Sequence, residues 1–238
     1  MVKIDNLYVF CISLNDRDDR REDILENFPY FNIIFFEAID TRDEKWKDFS
    51  NYIDKKSYEK LIACNKLHSR EYHHDLTSGA VGCFLSHLNL CQYIMNHNLK
   101  YNFVLEDDTR PLISNFKEYM SHLFDHIPED ADVVLLHYIL PRTSVTSIIR
   151  VNNMVSRVNR ENFQFWCLDS YILTLQGAKK IMENFDKIKI QYDSFLAKLY
   201  REGKINIYLC NKKYTVQNNS ATDIQNLRRV LYPNVFNF

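Results

Sequence analysis

The sequence has few of the residues that interrupt regular structure: only 4 of its 238 residues are Gly and 5 are Pro. No low-complexity tract or Gly/Pro-rich linker divides it, so we predict a single domain over residues 1–238. With 46% hydrophobic residues, the chain can bury a large core. Its 30 Lys and Arg residues face 31 Asp and Glu residues. This balance argues against a nucleic-acid partner, which usually requires a basic surface.

Paired cysteines and long apolar segments are also missing. The six cysteines form no CxxC pair, which indicates neither a zinc site nor a disulfide framework, and we expect reduced, structural thiols. Residues 1–6 lack the charged and apolar regions of a signal peptide. No apolar run approaches the roughly 18 residues that a transmembrane segment needs. We therefore expect a soluble, cytoplasmic protein without a transmembrane segment.

Strand-length apolar runs alternate with helical periodicity along the chain. Strands are predicted at 7–14, 33–38, 102–106, 132–138, 205–210 and 214–217, with an extended segment at 163–175, a hairpin at 147–158 and helices at 16–27, 77–97, 113–126, 177–185 and 192–201. This alternation predicts an α/β fold with a mainly parallel central sheet flanked by helices. Ligands are then expected at the carboxyl ends of the strands. The charged, Tyr-rich stretch 40–74, which is weakly helical around 58–64, is predicted as a mobile insertion over a site rather than as core.

One predicted strand ends in three consecutive carboxylates, Glu106, Asp107 and Asp108. Side chains two apart on an extended chain share a face, so Glu106 and Asp108 can converge on one ion. Hard oxygen ligands suit Mg²⁺ or Mn²⁺ better than Zn²⁺. The alternative for an isolated triplet is a solvated acidic turn.

Several motifs follow one another in a single order over nearly the whole chain. They are Val9–Leu14 with Asp16–Arg21, Phe35–Asp40, Leu76–His87 with its GCFLSH block, Val104–Asp108, Tyr171–Thr174 with Gly177–Lys180, and Tyr192-Asp193. This order resembles glycosyltransferase family 25, which groups bacterial lipooligosaccharide β-galactosyltransferases with procollagen hydroxylysine galactosyltransferases. The resemblance implies a GT-A-like nucleotide-sugar-binding fold, a divalent metal, usually Mn²⁺, and inverting transfer from a UDP-sugar to a hydroxyl.

Under this resemblance, Asp108 is expected to bind the metal directly and Glu106 directly or through water or ribose. Asp107, on the opposite face, supports the loop or holds the donor sugar. Inversion requires a carboxylate near the acceptor hydroxyl as general base. The acidic residue that follows the family's Gly-Ala helix corresponds to Asp193, our first candidate, and Asp169 is the second. The alternative for Asp193 is a surface N-cap of the helix 192–201.

The first strand-to-helix turn combines backbone N–H groups with arginines, which favours phosphate binding. In the family this segment contacts the nucleotide, so the candidate UDP-binding residues are Ser13, Leu14, Arg17 and Arg20. The alternative is a solvated helix that pairs its own charges. Gly79 and Gly82 allow close backbone approach at the next helix. Ser86 and His87 lie one turn further on, where His87 either donates to the nucleotide or sugar or is a buried, satisfied histidine.

The predicted function is metal-dependent inverting transfer of a hexose, galactose or glucose, from a UDP-sugar. The acceptor is a hydroxyl of a glycan or of a hydroxylysine-containing, collagen-like protein. We divide the domain into a nucleotide-binding half, residues 1–138, and an acceptor-side half, residues 139–238. The alternatives are a degenerate sugar-nucleotide or protein-binding module and another metal-dependent phosphotransfer enzyme.

Overall fold

The computed structural model describes residues 7–70, 75–141 and 147–218, together with the backbone of residues 229 and 230. The strands are β1 Tyr8–Ser13, β2 Ile33–Glu37, β3 Ser69–Arg70, β4 Tyr101–Glu106, β5 Thr109–Pro111, β6 Val133–Leu135, β7 Ile148–Arg150, β8 Val155–Val158, β9 Ser170–Thr174, β10 Ile207–Cys210, β11 Thr215–Gln217 and β12 Arg229–Val230. The α-helices are α1 Asp18–Asn27, α2 Lys55–Leu67, α3 Ser78–Asn96, α4 Phe116–Phe124, α5 Leu175–Glu183 and α6 Tyr192–Arg201, and two 3-10 helices span Lys45–Tyr52 and Arg160–Asn162.

Eight strands form the central sheet in the order β2-β1-β4-β9-β6-β10-β8-β7. The predicted α/β architecture, a central sheet flanked by helices, is confirmed. The sheet is more mixed than predicted: β1 pairs in parallel with β2 and β4, and β6 with β10, but β9 runs antiparallel to both of its neighbours. The predicted hairpin is present as the antiparallel pair β7 and β8. Strands from both predicted halves therefore alternate in one sheet.

The position of β9 determines what lies beside the acidic triplet. Leu105, near the carboxyl end of β4, pairs with Ser170 at the amino end of β9. The residue before Ser170, Asp169, accepts a backbone hydrogen bond of 2.8 Å from the Glu106 N–H. The carboxyl ends of β1 and β4 and the segment that enters β9 therefore meet at one edge of the sheet.

Two apolar clusters cover the two faces of the sheet. One contains Phe10, Val104, Tyr171 and most buried residues of α3, and the other contains Cys11, Phe103, Leu105 and the buried residues of α4. Successive residues of β4 thus alternate between the clusters, as expected for a strand that is covered on both sides. Leu105 is fully buried, which agrees with the predicted buried strand.

The stretch 40–74 was predicted as an insertion outside the core. For its described part, residues 40–70, this prediction is wrong. This part forms the 3-10 helix Lys45–Tyr52 and α2, and it buries Trp46, Ile53 and Leu61 in the first apolar cluster. The weakly helical section predicted at 58–64 lies within α2, which is longer at both ends, Lys55–Leu67. The apolar residues of the stretch are spread among charged ones, so the sequence did not indicate that they are buried in the core. Among the described residues, no helix is both long enough and apolar enough to cross a lipid bilayer.

Candidate active site

A cavity of about 680 Å³ opens at the edge of the sheet where β1 and β4 end. Nine of the predicted site residues line it: Ser13, Leu14, Arg20, Gly79, Ser86, His87, Glu106, Asp107 and Asp108. They come from the β1 turn, α1, α3 and the end of β4. The structure therefore brings together segments that are up to 95 residues apart in the sequence.

The two outer carboxylates of the triplet have different surroundings. Asp108 accepts a hydrogen bond of 2.8 Å from the Gln217 side chain through Oδ2. Its Oδ1 is buried and has no hydrogen-bond partner in the described part of the chain. Glu106 points inward, where Oε1 lies 3.2 Å from His87 Nε2 and 3.7 Å from Cys83 Sγ. A buried carboxylate oxygen without a partner costs free energy, so Asp108 presents an incomplete binding site.

Burial and the crowding of carboxyl groups raise the pKa values of Glu106 and Asp108. Burial, followed by the nearby charges of Asp169, Asp107 and Asp193, raises the pKa of Glu106 to about 8. Burial and the charge of Glu106 raise the pKa of Asp108 to about 7, against a smaller lowering by Gln217. Removal from water and like charges both disfavour the ionised carboxylate. A cation at this position would reverse that effect.

Asp107, the middle residue of the triplet, forms an ion pair with α1. Arg20 Nη1 donates to Asp107 Oδ1 at 2.7 Å, and both side chains are only 10% exposed. This contact supports the triplet from the helix, in agreement with the first of the two roles predicted for Asp107. It also neutralises one of the three adjacent charges.

His87 is buried, and both of its ring nitrogens have partners. Nδ1 lies 2.8 Å from the Tyr171 hydroxyl, and Nε2 lies 3.2 Å from Glu106. The Tyr192 ring stacks on the imidazole at a centroid distance of 4.6 Å and an interplanar angle of 5°. Burial lowers the pKa of His87 to about 3, so the imidazole is neutral at physiological pH. Of the two predicted alternatives for His87, the buried, satisfied histidine is the one found here.

Gly82 and Ser86 of the GCFLSH block hold α3 against the segment that follows β2. A Cβ atom on Gly82 would lie 2.5 Å from the Ile39 carbonyl oxygen, so only glycine fits this contact. Ser86 Oγ accepts a hydrogen bond from the Ile39 N–H at 2.8 Å and donates to the Gly82 carbonyl at 2.7 Å. The close approach predicted at Gly82 is present, and it is made with the protein's own backbone.

Four predicted residues lie outside the lining of the cavity: Gly82, Arg17, Asp169 and Asp193. Arg17, the N-cap residue of α1, forms an ion pair with the exposed Asp19 at 2.9 Å. Asp169 is buried and lies 2.5 Å from His137 Nδ1, with its Oδ2 unpartnered within the described ranges. Its backbone carbonyl holds Glu106, so the residue is next to the triplet.

Asp193 is in the first turn of α6, where the N-cap residue is Gln191. The alternative assignment of Asp193 as the N-cap is therefore wrong. Its Oδ1 accepts from the Ser194 N–H at 2.6 Å, and burial raises its pKa to about 6. The charge of Asp193 also acts on His87, Glu106 and Cys83, so the residue lies near this group.

The prediction missed Cys83 and the rim formed by residues 38–45. Asp40, Arg42 and Lys45 line the cavity, and Asp40 forms ion pairs with both basic residues. Cys83 precedes His87 by four residues, so both lie on one face of α3. That spacing was available in the sequence as a signal, but the rim required knowledge of the fold.

A divalent cation fits the triplet. Oδ1 of Asp108 is an orphaned, buried anionic oxygen, and Glu106 lines the same cavity with a strongly raised pKa. Carboxylate oxygens are the donors that Mn²⁺ and Mg²⁺ prefer. Asp108 and Glu106 are the residues that would hold the ion.

The chain resembles known proteins over most of its length. Residues 6–196 match the profile of Glycosyltransferase family 25 (LPS biosynthesis protein). Procollagen galactosyltransferase 1 of Danio rerio is 30% identical over 209 residues, which cover 84% of this chain and 32% of that protein. Procollagen galactosyltransferase 2 of Homo sapiens is 27% identical over 203 residues, which cover 84% of this chain and 31% of that protein. The chain thus spans about a third of the length of these relatives.

Solved structures show weaker likeness. A cytidylyltransferase from Leptospira borgpetersenii matches with a TM-score of 0.39 at 11% identity, covering 94% of this chain and 79% of its own. HddC from Yersinia pseudotuberculosis matches with a TM-score of 0.38 at 17% identity, covering 89% and 93%. These scores carry no functional information. The family profile, in contrast, covers well over half of the sequence, and the chain belongs to glycosyltransferase family 25.

Proposed function

We propose that this protein transfers a hexose, galactose or glucose, from a UDP-sugar to a hydroxyl group, with inversion and with Mn²⁺ or Mg²⁺ as cofactor. The acceptor hydroxyl belongs to a glycan or to a hydroxylysine-containing, collagen-like protein. Family membership supports glycosyl transfer. The named activity of the procollagen galactosyltransferases supports the choice of sugar and of acceptor.

The charge of the cavity is the observation that carries the requirement for a metal. Its lining holds three basic residues, Arg20, Arg42 and Lys45, against six carboxylates, namely Asp16, Asp40, Asp43, Glu106, Asp107 and Asp108. Each of the three cations already has a carboxylate partner. Because these cations are already paired, a divalent cation held by Asp108 and Glu106 would supply the positive charge that a nucleoside diphosphate needs. Bound there, the cation would stabilise the negative charge that develops on the leaving diphosphate.

The residues of the site would then have different roles. Asp108 and Glu106 would hold the cation, and Arg20 would keep the triplet in place through Asp107. Ser13, Leu14 and Gly79 line the cavity on the side of the β1 turn and the start of α3, where the nucleotide is proposed to lie. Asp193 would take the proton from the acceptor hydroxyl, since its raised pKa of about 6 suits a general base near neutral pH.

The test is release of UDP from UDP-galactose, UDP-glucose and their N-acetyl forms in the presence of Mn²⁺, with a glycan or a hydroxylysine-containing peptide as acceptor. We expect turnover with one of the hexose donors and at least a hundredfold loss in Asp108→Asn. Glu118→Gln, an exposed carboxylate of α4, is the matched control and should keep full activity. Nucleotide binding without turnover would favour a binding module, and turnover of a different phosphate ester would favour another phosphotransfer enzyme.

A further inference from the structure

We propose that Cys83, His87 and Glu106 form a second cation site, suited to Zn²⁺ and separate from the carboxylate oxygen of Asp108. One ligand atom from each of these residues, a sulfur, a nitrogen and an oxygen, lies within 4.8 Å of the others. A mixed sulfur, imidazole and carboxylate set is typical of Zn²⁺ and other borderline metals rather than of Mg²⁺. Binding at this site does not depend on the transfer reaction proposed above.

Two of the three ligand separations within the cluster match a tetrahedral ion. Zn–S bonds of about 2.3 Å and Zn–N and Zn–O bonds of about 2.0–2.2 Å give ligand separations of roughly 3.3 Å for N···O and 3.6 Å for S···O. The observed separations are 3.2 Å from His87 Nε2 to Glu106 Oε1 and 3.7 Å from Cys83 Sγ to the same oxygen. The three residues need little rearrangement to share one ion.

Two features of the fold prepare the ligands. Cys83 and His87 are four residues apart in α3, so a rigid helix presents both to the same point. Histidine ligands of metals usually engage their second ring nitrogen with a neighbouring group, which fixes the orientation of the ring. Tyr171 provides that partner at Nδ1, 2.8 Å away, and the stacked Tyr192 ring holds the imidazole plane.

The fourth coordination position would face the cavity. Cys83, His87 and Glu106 all belong to its lining, so water or a ligand oxygen has access to the ion. Three protein ligands with one open position is the usual arrangement of a reactive or regulatory zinc site, whereas structural zinc sites are closed by four protein ligands. Glu106 is shared with the proposed Mn²⁺ site, so occupation by Zn²⁺ would withdraw this carboxylate from Asp108.

Cobalt provides a direct readout, because Co²⁺ substitutes for Zn²⁺ and has a spectrum. We would titrate the metal-free protein with Co²⁺ and then displace the bound Co²⁺ with Zn²⁺. One equivalent should give a thiolate-to-cobalt band in the near ultraviolet together with the intense visible bands of four-coordinate Co²⁺. Zn²⁺ should bleach both. If wild-type protein shows no thiolate band, the proposal is wrong whatever the variants do.

Variants assign the ligands. Cys83→Ser should remove the thiolate band and weaken Zn²⁺ binding at least tenfold, while the matched Cys167→Ser should leave both unchanged. Asp108→Asn should retain the band although it loses Mn²⁺, which separates this site from the proposed catalytic one. A band that persists in Cys83→Ser, or that Asp108→Asn abolishes, would contradict the assignment. Circular dichroism of each metal-free variant checks that it is folded.

Discussion

Arg20 on α1 and Asp107 at the end of β4 form a nearly buried ion pair across 87 residues of sequence. The pair separates the three acidic residues by role, because it neutralises Asp107 and leaves Glu106 and Asp108 without a Lys or Arg partner among the described residues. It also joins the first helix to the strand that carries the proposed metal ligands. The structural and the chemical parts of the triplet can therefore be tested apart.

Replacement of Arg20 by Gln should destabilise the protein by about 3–5 kcal/mol, because it leaves the buried Asp107 carboxylate unpaired beside two other carboxylates. The control is Arg17→Gln, whose partner Asp19 is 67% exposed on its side chain. Loss of a pair whose carboxylate is open to solvent should cost much less than loss of the nearly buried Arg20 pair. Urea unfolding of both variants measures the difference, and equal costs would show that the Arg20 pair is not the anchor described here.

Gly82→Ala should lower the free energy of unfolding by about 1–3 kcal/mol, as overpacking does. The added methyl group would meet the Ile39 carbonyl at 2.5 Å and Thr41 Oγ1 at 2.6 Å, so α3 would have to move away from the rim of the cavity. Asn89→Ala, on the exposed face of the same helix, is the control and should change stability by less than about 0.5 kcal/mol. Denaturant midpoints that coincide for the two variants would contradict the close approach.

The raised pKa values of Glu106 and Asp108 predict how the stability of the metal-free protein depends on pH. The pKa of Glu106 is raised from 4.5 to about 8 and that of Asp108 from 3.8 to about 7, so the folded state binds more protons than the unfolded state over this range. The stabilising contribution of these two carboxyl groups is fully present below about pH 4 and is lost as the pH rises to about 8.

Unfolding in EDTA should therefore become easier from pH 5 to pH 8, and saturating Mn²⁺ should reduce this slope. The double variant Glu106→Gln, Asp108→Asn should lack the part of the slope that these two carboxyl groups cause, which distinguishes their contribution from that of other titrating groups. A wild-type slope that neither Mn²⁺ nor the double substitution changes would show that these carboxylates are ionised without a cation.

Asp193→Asn should reduce transfer by about 10²–10⁴-fold and leave Mn²⁺-dependent UDP affinity nearly unchanged, because a general base acts only when the acceptor proton leaves. Steady-state kinetics and UDP titrations of the same preparation provide the two readouts. If Mn²⁺ affinity falls together with activity, Asp193 is a metal ligand instead. If neither changes, the search for the base moves to Asp169.

Local signals predicted the elements that carry the site. Thr77 or Ser78 is predicted to cap the helix at 77–97, and Thr77 does so, with its side chain accepting from the Ala80 N–H. The strand β4 ends at the triplet, as predicted, because caps and apolar runs depend on neighbouring residues. The antiparallel insertion of β9 was not predictable, since no local pattern specifies which strands become neighbours. It is this insertion that puts Asp169 beside Glu106.

Contacts across long sequence separations account for what was missed in the site. The sequence offered Arg17 and Arg20 equally as phosphate ligands, yet of the two only Arg20 lines the cavity, whereas Arg17, the N-cap residue of α1, pairs with Asp19. The contact of Gln217 with Asp108 spans 109 residues. Cys83 belongs to no CxxC pair, and the sequence signal that links it to the site is its four-residue spacing from His87 in α3.

The central claim is that Asp108 couples nucleotide binding to a divalent cation, and chemical unfolding in the presence of UDP tests it most directly. At a hundredfold excess of UDP over its Kd, wild-type protein with Mn²⁺ should gain about 2.7 kcal/mol of stability. With EDTA, or in Asp108→Asn with Mn²⁺, the gain should be close to zero while the variant remains folded. Equal stabilisation by UDP with and without Mn²⁺, or in the variant and the wild type, would contradict the claim.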